Sequence, residues 1–280
     1  NRNKDSIGYT YEMGLNSFSD LTKEEYINML TTYPTREHYK TQVERSKLLN
    51  LTLSCTGNIT TSPNPPDQVD WSKKAVTAVV KQGACGSSYA IAAIGAIEAL
   101  YSLKYGKLDT MSYQQVLDCS GAYGNEGCQG GFMDQAFWYI IDNGLASSKT
   151  YPNKNINQNC TYTKSMKTTS ITRCADVPTG SYIKLQSSVI QGPTTVAIDA
   201  SEMKDYKSGI YNKPCSSTYI NQAMLVVGYG VEDNQTYWKI KNSFGAEWGE
   251  DGYLRLERTV TEGEGKCGIQ QVAVTPQVLI

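Results

Sequence analysis

The sequence predicts an α+β fold in two lobes, with helices in the first half and strands in the second. Residues 88–105 are rich in Ala, Ile and Leu on every side, which is typical of a buried central helix. From about Cys174 the apolar pattern changes to a period of two, which is typical of strands. The length of 280 residues, with 40% hydrophobic residues, allows one large domain or two small ones with a sizeable core.

Further helices are predicted around the central one. Residues 17–30 show a helical pattern that Ser19 or Asp20 can cap. Residues 111–119 and 133–144 predict two shorter helices, and the second ends at a glycine that suits a C-cap. The helical half is therefore expected to contain at least three helices after the polar N-terminal part.

The second half predicts a set of short strands with glycine at their ends. These are residues 194–200, 223–230, 236–243 and 252–259, with a weaker strand at 270–274. Between the N-terminal part and the helical half, residues 49–69 are rich in Pro, Ser, Thr and Asn, so we expect a linker there.

Composition excludes several classes of protein. The chain has 26 Lys+Arg against 27 Asp+Glu, a formal net charge of −1, so no strong field favours nucleic acid as a partner. The sequence contains no run of 18 apolar residues, so it predicts no transmembrane segment. The Cys spacings do not suit a zinc site and the glycine turns lack a phosphate-loop pattern, so we expect no metal and no cofactor. His38, the single histidine, is expected to be a solvated loop residue without a role.

Cysteines and sequons favour an oxidising compartment. Eight Cys allow four disulfides, and four Asn-x-Ser/Thr sequons occur. The predicted glycosylation sites are Asn50, Asn58, Asn159 and Asn234. We therefore expect a secreted protein, or one in the lumen of a lysosome-like or secretory vesicle. The alternative is a cytosolic protein with eight free thiols.

Ordered motifs identify a family. QGACGSSYA (residues 82–90) resembles the active-site segment of papain-like cysteine proteases, whose pattern is Q-G-x-C-G-S-C-W-A. Segment 119–137 is close to the cathepsin L pattern, and residues 15–26 resemble part of the family's inhibitory pro-peptide. Further matches in family order are residues 192–200, 225–230, 237–256 and 266–269. The chain is thus identified as a cathepsin L-like member with a truncated pro-region.

The resemblance implies the division of the chain. A papain-like domain is expected over residues 63–280, with a helical left lobe at about 72–173 and an antiparallel, β-barrel-like right lobe at about 174–280. A cleft lies between the lobes. Residues 1–62 are expected to form the truncated pro-region and linker, and the pro-region is expected to occupy the cleft.

The resemblance also places the reaction centre, where two residue types differ from the family. The family's cysteine nucleophile corresponds to Ser88, and its histidine base corresponds to Gln222. The orienting asparagine is kept as Asn242, and the oxyanion-hole side chain is kept as Gln82. A hydroxyl is a weak nucleophile without a base, and a glutamine amide does not titrate near neutral pH. With both groups changed, the expected loss of rate is roughly 10⁶-fold.

These substitutions predict a catalytically inactive pseudoprotease rather than an enzyme, with a binding or scaffolding role and a peptide or protein partner in a larger assembly. Three alternatives stay open. One is a true cysteine protease zymogen inactivated in the laboratory, which Ser88 alone would suit. A second is a slow hydrolase that uses Ser88, and a third is a decoy that captures protease inhibitors or substrates. The silicateins, relatives with a serine nucleophile, keep the histidine that this chain lacks.

Two further sets of residues follow from the resemblance. The expected disulfides are Cys85–Cys128, Cys119–Cys160 and Cys215–Cys267. Cys55 and Cys174 remain, and we expect them to bond and tie the pro-region to the body; the alternative is two separate thiols. The expected substrate-binding residues are Gly130 and Gly131, which would pair with an extended peptide, and Phe132, Met133, Ala197 and Ile220, which would line an apolar pocket.

Overall fold

The computed structural model describes residues 8–30 and 55–279. His38 and Asn50 lie outside these ranges. Within them, no helix combines the length and the apolar composition that crossing a bilayer requires. The helices concentrate before residue 145 and most of the strands lie after it, so the α+β prediction is confirmed.

The helical lobe is built around one long helix. After helix α1 (Lys23–Met29) and the short strand β2 (Val69–Asp70), helix α2 (Ser88–Tyr105) forms its centre, with α3 (Tyr113–Cys119) and α4 (Met133–Asn143) packed against it. Thirteen α2 residues are buried, including Ala90, Ala93 and Ala96, which confirms its prediction as a central helix. Short strands β3 (Leu145–Ala146) and β4 (Lys167–Thr169) form a separate two-stranded sheet.

The β lobe is one mixed sheet. Its strands are β1 (Thr10–Met13), β5 (Ile171–Asp176), β6 (Thr194–Ile198), β7 (Tyr206–Tyr211), β8 (Gln222–Glu232), β9 (Gln235–Lys241), β10 (Tyr253–Glu257) and β11 (Val272–Leu279), and helix α5 (Tyr182–Gln191) packs on it. The spatial order is β1-β7-β10-β9-β8-β6-β11-β5, with β2 paired to β8. All of these pairs are antiparallel except β10 with β7.

The predicted cap of helix α1 differs from the observed one. Thr22, rather than Ser19 or Asp20, is the N-cap, because its hydroxyl accepts from the Glu25 backbone while the Glu25 carboxylate accepts from the Thr22 backbone. This reciprocal pair is a capping box. Glu25 therefore fixes the start of the helix two or three residues later than expected.

Four disulfides connect the described residues. Their partners are Cys55–Cys174, Cys85–Cys128, Cys119–Cys160 and Cys215–Cys267. Cys85–Cys128 joins the segment before α2 to the loop before α4, and Cys215–Cys267 lies within the β lobe. Cys55–Cys174 joins the segment before the helical lobe to strand β5.

A buried polar bridge joins the two lobes. Glu98 on α2 accepts a hydrogen bond from the Thr77 hydroxyl at 2.6 Å, and Lys241 on β9 donates to the same hydroxyl oxygen at 3.2 Å. All three residues are buried. Burial raises the pKa of Glu98 and lowers that of Lys241 to about 8, while each charge favours the charged form of the other. The Thr77 hydroxyl thus connects opposite charges that belong to different lobes.

Replacing Thr77 with Val is expected to lower the free energy of unfolding by about 2 kcal/mol, because a buried carboxylate loses its donor and a buried ammonium loses an acceptor. Thr77→Ser keeps the hydroxyl and should lose less than half as much. Denaturant unfolding of both variants measures the difference. Equal losses would show that the methyl group matters and the bridge does not.

The pKa of Lys241 also predicts a pH effect. In the unfolded chain lysine holds its proton up to about pH 10.4, whereas folded Lys241 loses it near pH 8. The unfolded state therefore binds more protons between these values, and the contribution of Lys241 to the free energy of unfolding rises with pH. Relative to a Lys241→Met variant, the wild type should gain about 2 kcal/mol between pH 7.5 and 9.5. A difference that stays constant across this window would contradict the assignment.

Candidate functional site

The four residues predicted at the reaction centre come together at the junction of the lobes. Ser88 is the first residue of α2, and Gln222 is the first residue of β8. Gln82 lies in the segment before α2, and Asn242 directly follows β9. All four are buried, with exposed fractions of 2% or less. The antiparallel pairing of β8 with β9 brings the start of β8 beside the end of β9.

Gln222 uses its amide to bind its neighbours. Its Nε2 donates to Gln82 Oε1 at 2.9 Å, to Asn242 Oδ1 at 3.1 Å and to Ser243 Oγ at 3.3 Å. Gln222 Oε1 and Asn242 Nδ2 are buried without a hydrogen-bond partner among the described residues. A buried polar atom left unpaired costs about 1–3 kcal/mol, so this arrangement is held by the surrounding packing.

Gln82 is tied on both sides of its amide. Its Nε2 donates to the Cys85 carbonyl at 3.2 Å, and its Oε1 also accepts from the Ser243 hydroxyl. Its backbone N–H donates to the Ser243 carbonyl at 2.8 Å. The sequence predicts Gln82 as an oxyanion-hole donor. In this structure its side-chain N–H group donates to the Cys85 backbone carbonyl instead.

Ser88 contacts the β lobe through its hydroxyl. Its Oγ accepts a hydrogen bond from the Ala223 backbone N–H at 3.3 Å. This contact fixes the oxygen at the start of β8, next to Gln222 in the chain. A bond accepted by the oxygen does not remove the hydroxyl proton, so it leaves Ser88 as a neutral alcohol.

The four predicted residues have little exposed surface in this structure. A small cavity beside Ala223, Asn242 and Ser243 has a volume of about 10 Å³, which is roughly the space of one water-sized sphere. Ser88 has no exposed surface. Any molecule that reaches its hydroxyl therefore needs the surrounding side chains to move.

The two predicted peptide-pairing glycines lie in a tight loop before α4. A Cβ on Gly131 would lie 2.2 Å from Asn125 Oδ1, so only glycine fits beside that side chain. The same Asn125 oxygen accepts from the Phe132 backbone N–H at 2.8 Å. Gly130 has φ +121° and its carbonyl accepts from Glu126 N–H at 2.8 Å. Asn125 therefore holds this loop in place.

The predicted apolar pocket residues are partly brought together. Met133 and Ala197 belong to one buried cluster, and Ile220 packs against it. Phe132 is buried as well, but it does not belong to that cluster. Met133 and Ala197 are 1% and 0% exposed, so in this structure they form part of the interior.

Residues 8–30 dock on the β lobe near the site. Strand β1 pairs with β7, and Phe18 packs edge-on against Phe244, with ring centroids 5.1 Å apart. Tyr26 contacts the same ring at 6.0 Å and donates its hydroxyl to the Ala200 carbonyl at 3.0 Å. Phe244 follows Ser243, so this N-terminal segment supports the loop that carries Asn242.

Two functional contacts were not identified in the sequence. Ser243 bonds both Gln82 and Gln222, and Asn125 shapes the glycine loop. In the sequence, Ser243 had one indication of a role at the site, which is its position directly after the predicted Asn242. Asn125 had none, because its contacts depend on how the loop folds.

The predicted glycosylation sites within the described residues lie on the surface. Asn58, Asn159 and Asn234 are exposed. Across the described ranges, no group of three or more His, Cys, Asp or Glu side chains could hold a metal ion. The side chains that meet at the predicted reaction centre carry hydroxyl and carboxamide groups.

Comparisons with known proteins agree on one family. The model of the papain family cysteine proteases matches residues 65–277. Cathepsin S of Bos taurus is 39% identical over 280 residues, which covers 96% of this chain and 79% of the relative. Cathepsin L of Sarcophaga peregrina is 37% identical over 278 residues, with 96% and 79% covered.

Solved structures are also similar to this chain over most of its length. The digestive procathepsin L 3 of the Tenebrio molitor larval midgut has a TM-score of 0.84 and 36% identity, covering 96% of this chain and 83% of that one. A recombinant stem bromelain precursor has a TM-score of 0.81 and 35% identity, covering 96% and 84%.

The expectation that this chain is not an enzyme is wrong. It rested on residue types at two positions, whereas relatives that share 36–39% of their residues over most of the chain are named as cathepsins and cysteine proteases, which points to a protease. The predicted family resemblance is confirmed. This chain belongs to the papain family of cysteine proteases, as a cathepsin L-like member.

Proposed function

We propose that this protein binds extended peptides in the cleft between its lobes and hydrolyses them slowly, with the Ser88 hydroxyl as the attacking group. In this proposal Ser88 and Gln222 stand where the family carries its cysteine nucleophile and its histidine base. Residues 1–62 form the pro-region and linker, and residues 63–280 form the papain-like domain.

The bonding of Gln222 carries the proposal. Its Nε2 acts as a donor toward Gln82, Asn242 and Ser243, whereas a general base must accept a proton from the nucleophile. A carboxamide cannot return that proton to a leaving amine either, because it does not titrate near neutral pH. Ser88 therefore attacks as a neutral alcohol, without the activation that lowers the barrier in a complete triad.

The expected rate follows from triad energetics. Removing the nucleophile or the base of a triad costs about as much as removing all of it, roughly 10⁶-fold in kcat. Binding and oxyanion donors alone retain about 10³–10⁴-fold over the reaction in water. The N–H groups in the first turn of α2 suit such donors, because they have no acceptor within the helix.

A binding role is the second candidate. In this role the protein holds a peptide or protein partner in a larger assembly, in a secretory or vesicular compartment. Four disulfides among the described residues and the exposed Asn58, Asn159 and Asn234 favour that compartment and glycosylation of these side chains. The same cleft would serve both roles.

The pro-region is the proposed internal occupant of the cleft. The related structures described as a procathepsin and a precursor align over 96% of this chain, including its N-terminal part. Residues 8–30 dock beside Phe244 through Phe18 and Tyr26.

Restoring the family's pair should restore fast cleavage. After removal of residues 1–54, the Ser88→Cys/Gln222→His variant should hydrolyse peptide substrates at least ~10⁴-fold faster than the wild type in kcat/KM, since a thiolate and an imidazolium can then form. Ser88→Cys or Gln222→His alone should gain less than a hundredth of that. Fluorogenic peptides give the measurement.

Two controls accompany this assay. Ser87→Cys/Gln222→His places the thiol one residue away and should gain nothing, and Ser88→Ala should lose the slow turnover of the wild type. A restored pair that is no faster than wild type, in a variant with native circular dichroism, would reject the assignment of these positions.

Truncating the docking ring should loosen the pro-region. Phe18 is 5% exposed, and Phe18→Ala is expected to destabilise the docked segment by about 3 kcal/mol, so its backbone amides should exchange ~100-fold faster. Leu15→Ala is the matched control, because Leu15 is 93% exposed and should change nothing. Hydrogen exchange over residues 8–30 checks both. Equal exchange in the two variants would mean that the ring contact does not hold the segment.

A further inference from the structure

We propose that the Cys55–Cys174 disulfide and the contacts around it make residues 55–62 a permanent part of the body, so that a cut in the following linker leaves the pro-region covalently attached. The protein would then persist as two chains with its N-terminal segment still docked. A cut that frees the pro-region must fall before Cys55. This moves the functional boundary from the linker to the residues upstream of the disulfide.

The first support is how the segment lies on strand β5. Beside the disulfide, Gly57 N–H donates to the Cys174 carbonyl at 2.8 Å, and Asp176 N–H donates to the Cys55 carbonyl at 2.8 Å. These two bonds continue the antiparallel ladder that β11 makes on the other edge of β5. The segment is thus an added edge partner of the sheet as well as a crosslinked one.

The second support is that helix α5 grips the same segment. Ile59 is 4% exposed and belongs to the core cluster of the β lobe. Lys184 Nζ donates to the Ile59 carbonyl at 2.7 Å, and Gln191 Nε2 donates to the Thr60 carbonyl at 3.0 Å. Both donors belong to α5, so the segment is anchored through residue 60 independently of residues 63–68.

Within the predicted linker (residues 49–69), residues 63–68 are the part that is open to proteolysis. Residues 63–68 are all exposed and form no helix or strand. Directly after them, Val69 and Asp70 pair with β8. A protease that cuts within 63–68 therefore separates two ends that are each held to the body by their own contacts.

The disulfide is protected in the folded protein. Cys55 and Cys174 are 4% and 0% exposed, so a reductant reaches the sulfur atoms only when the segment opens. Reduction would transfer two electrons and two protons from a dithiol, which itself becomes a disulfide. We expect the crosslink to outlast the linker cut in the native state.

Tethering changes retention by mass action. While the segment remains linked to the body, its effective concentration at its docking site is about 1 mM. At a protein concentration of 10 nM this is a ~10⁵-fold advantage over a free fragment. The tethered pro-region thus stays docked at dilutions at which an untethered one leaves.

The experiment compares two cut positions in the full chain. A recognition sequence for a specific protease is inserted between Asn64 and Pro65 in one protein and between Leu53 and Ser54 in the other, and each carries a fluorophore at its N-terminus. After cutting, both proteins are diluted to ~10 nM under native, non-reducing conditions and separated by size. We expect the label to stay with the body after the cut at 64 and to leave it after the cut at 53.

Hydrogen exchange over residues 8–30 then tests docking. We expect protection in the protein cut at 64 to match the uncut chain. The proposal is overturned if the label leaves after both cuts, if it stays after both, or if the segment loses protection after the cut at 64. None of these measurements depends on peptide cleavage, so they stand apart from the proposed reaction.

Discussion

The close approach of helix α2 to strand β8 is the constraint on which this structure depends. A methyl group on Gly95 would lie 3.1 Å from Leu225 Cδ2, and alanines line much of the rest of the helix. Small side chains let the helix lie close to the side chains of the sheet, as in close-packed interiors generally. The consequence at the N-terminal end is that Ser88 meets the backbone of Ala223. The same packing carries Glu98 toward Lys241, so one helix positions both the predicted reaction centre and the polar bridge between the lobes.

Long, strongly patterned elements could be predicted from the sequence, and elements that depend on distant partners could not. Helix α2 has the predicted bounds, and β8 differs from its prediction by one or two residues at each end. Helix α5 was missed because its buried face includes Ser187 and Ser188, which weaken the apolar period. Strand β1 was missed because a four-residue strand exists only through its pairing with β7. At the site, Gln82, Ser88, Gln222 and Asn242 came from motif order, while the bridging hydroxyl of Ser243 depends on the tertiary fold.

Residue chemistry and family membership answer different questions about this chain. Ser88 and Gln222 are predicted to stand where the family carries its nucleophile and its base, and from these residue types we expected a protein without enzymatic activity. The relatives named as proteases correct that expectation, because the similarity extends over nearly the whole chain. In the proposed function, triad energetics describe what the changed pair costs in rate, and peptide binding in the cleft supplies what any remaining rate needs.

Helix α5 has a consequence for how the molecule comes apart. Its side chains hold the backbone of residues 59 and 60, and that segment is in turn crosslinked to β5. Unfolding of the helix would break these hydrogen bonds. Displacement of the segment would break the same contacts and expose the helix surface that the segment covers. The two stretches, far apart in sequence, thus form a single cooperative unit of local unfolding. Heat or denaturant should therefore melt the two stretches together.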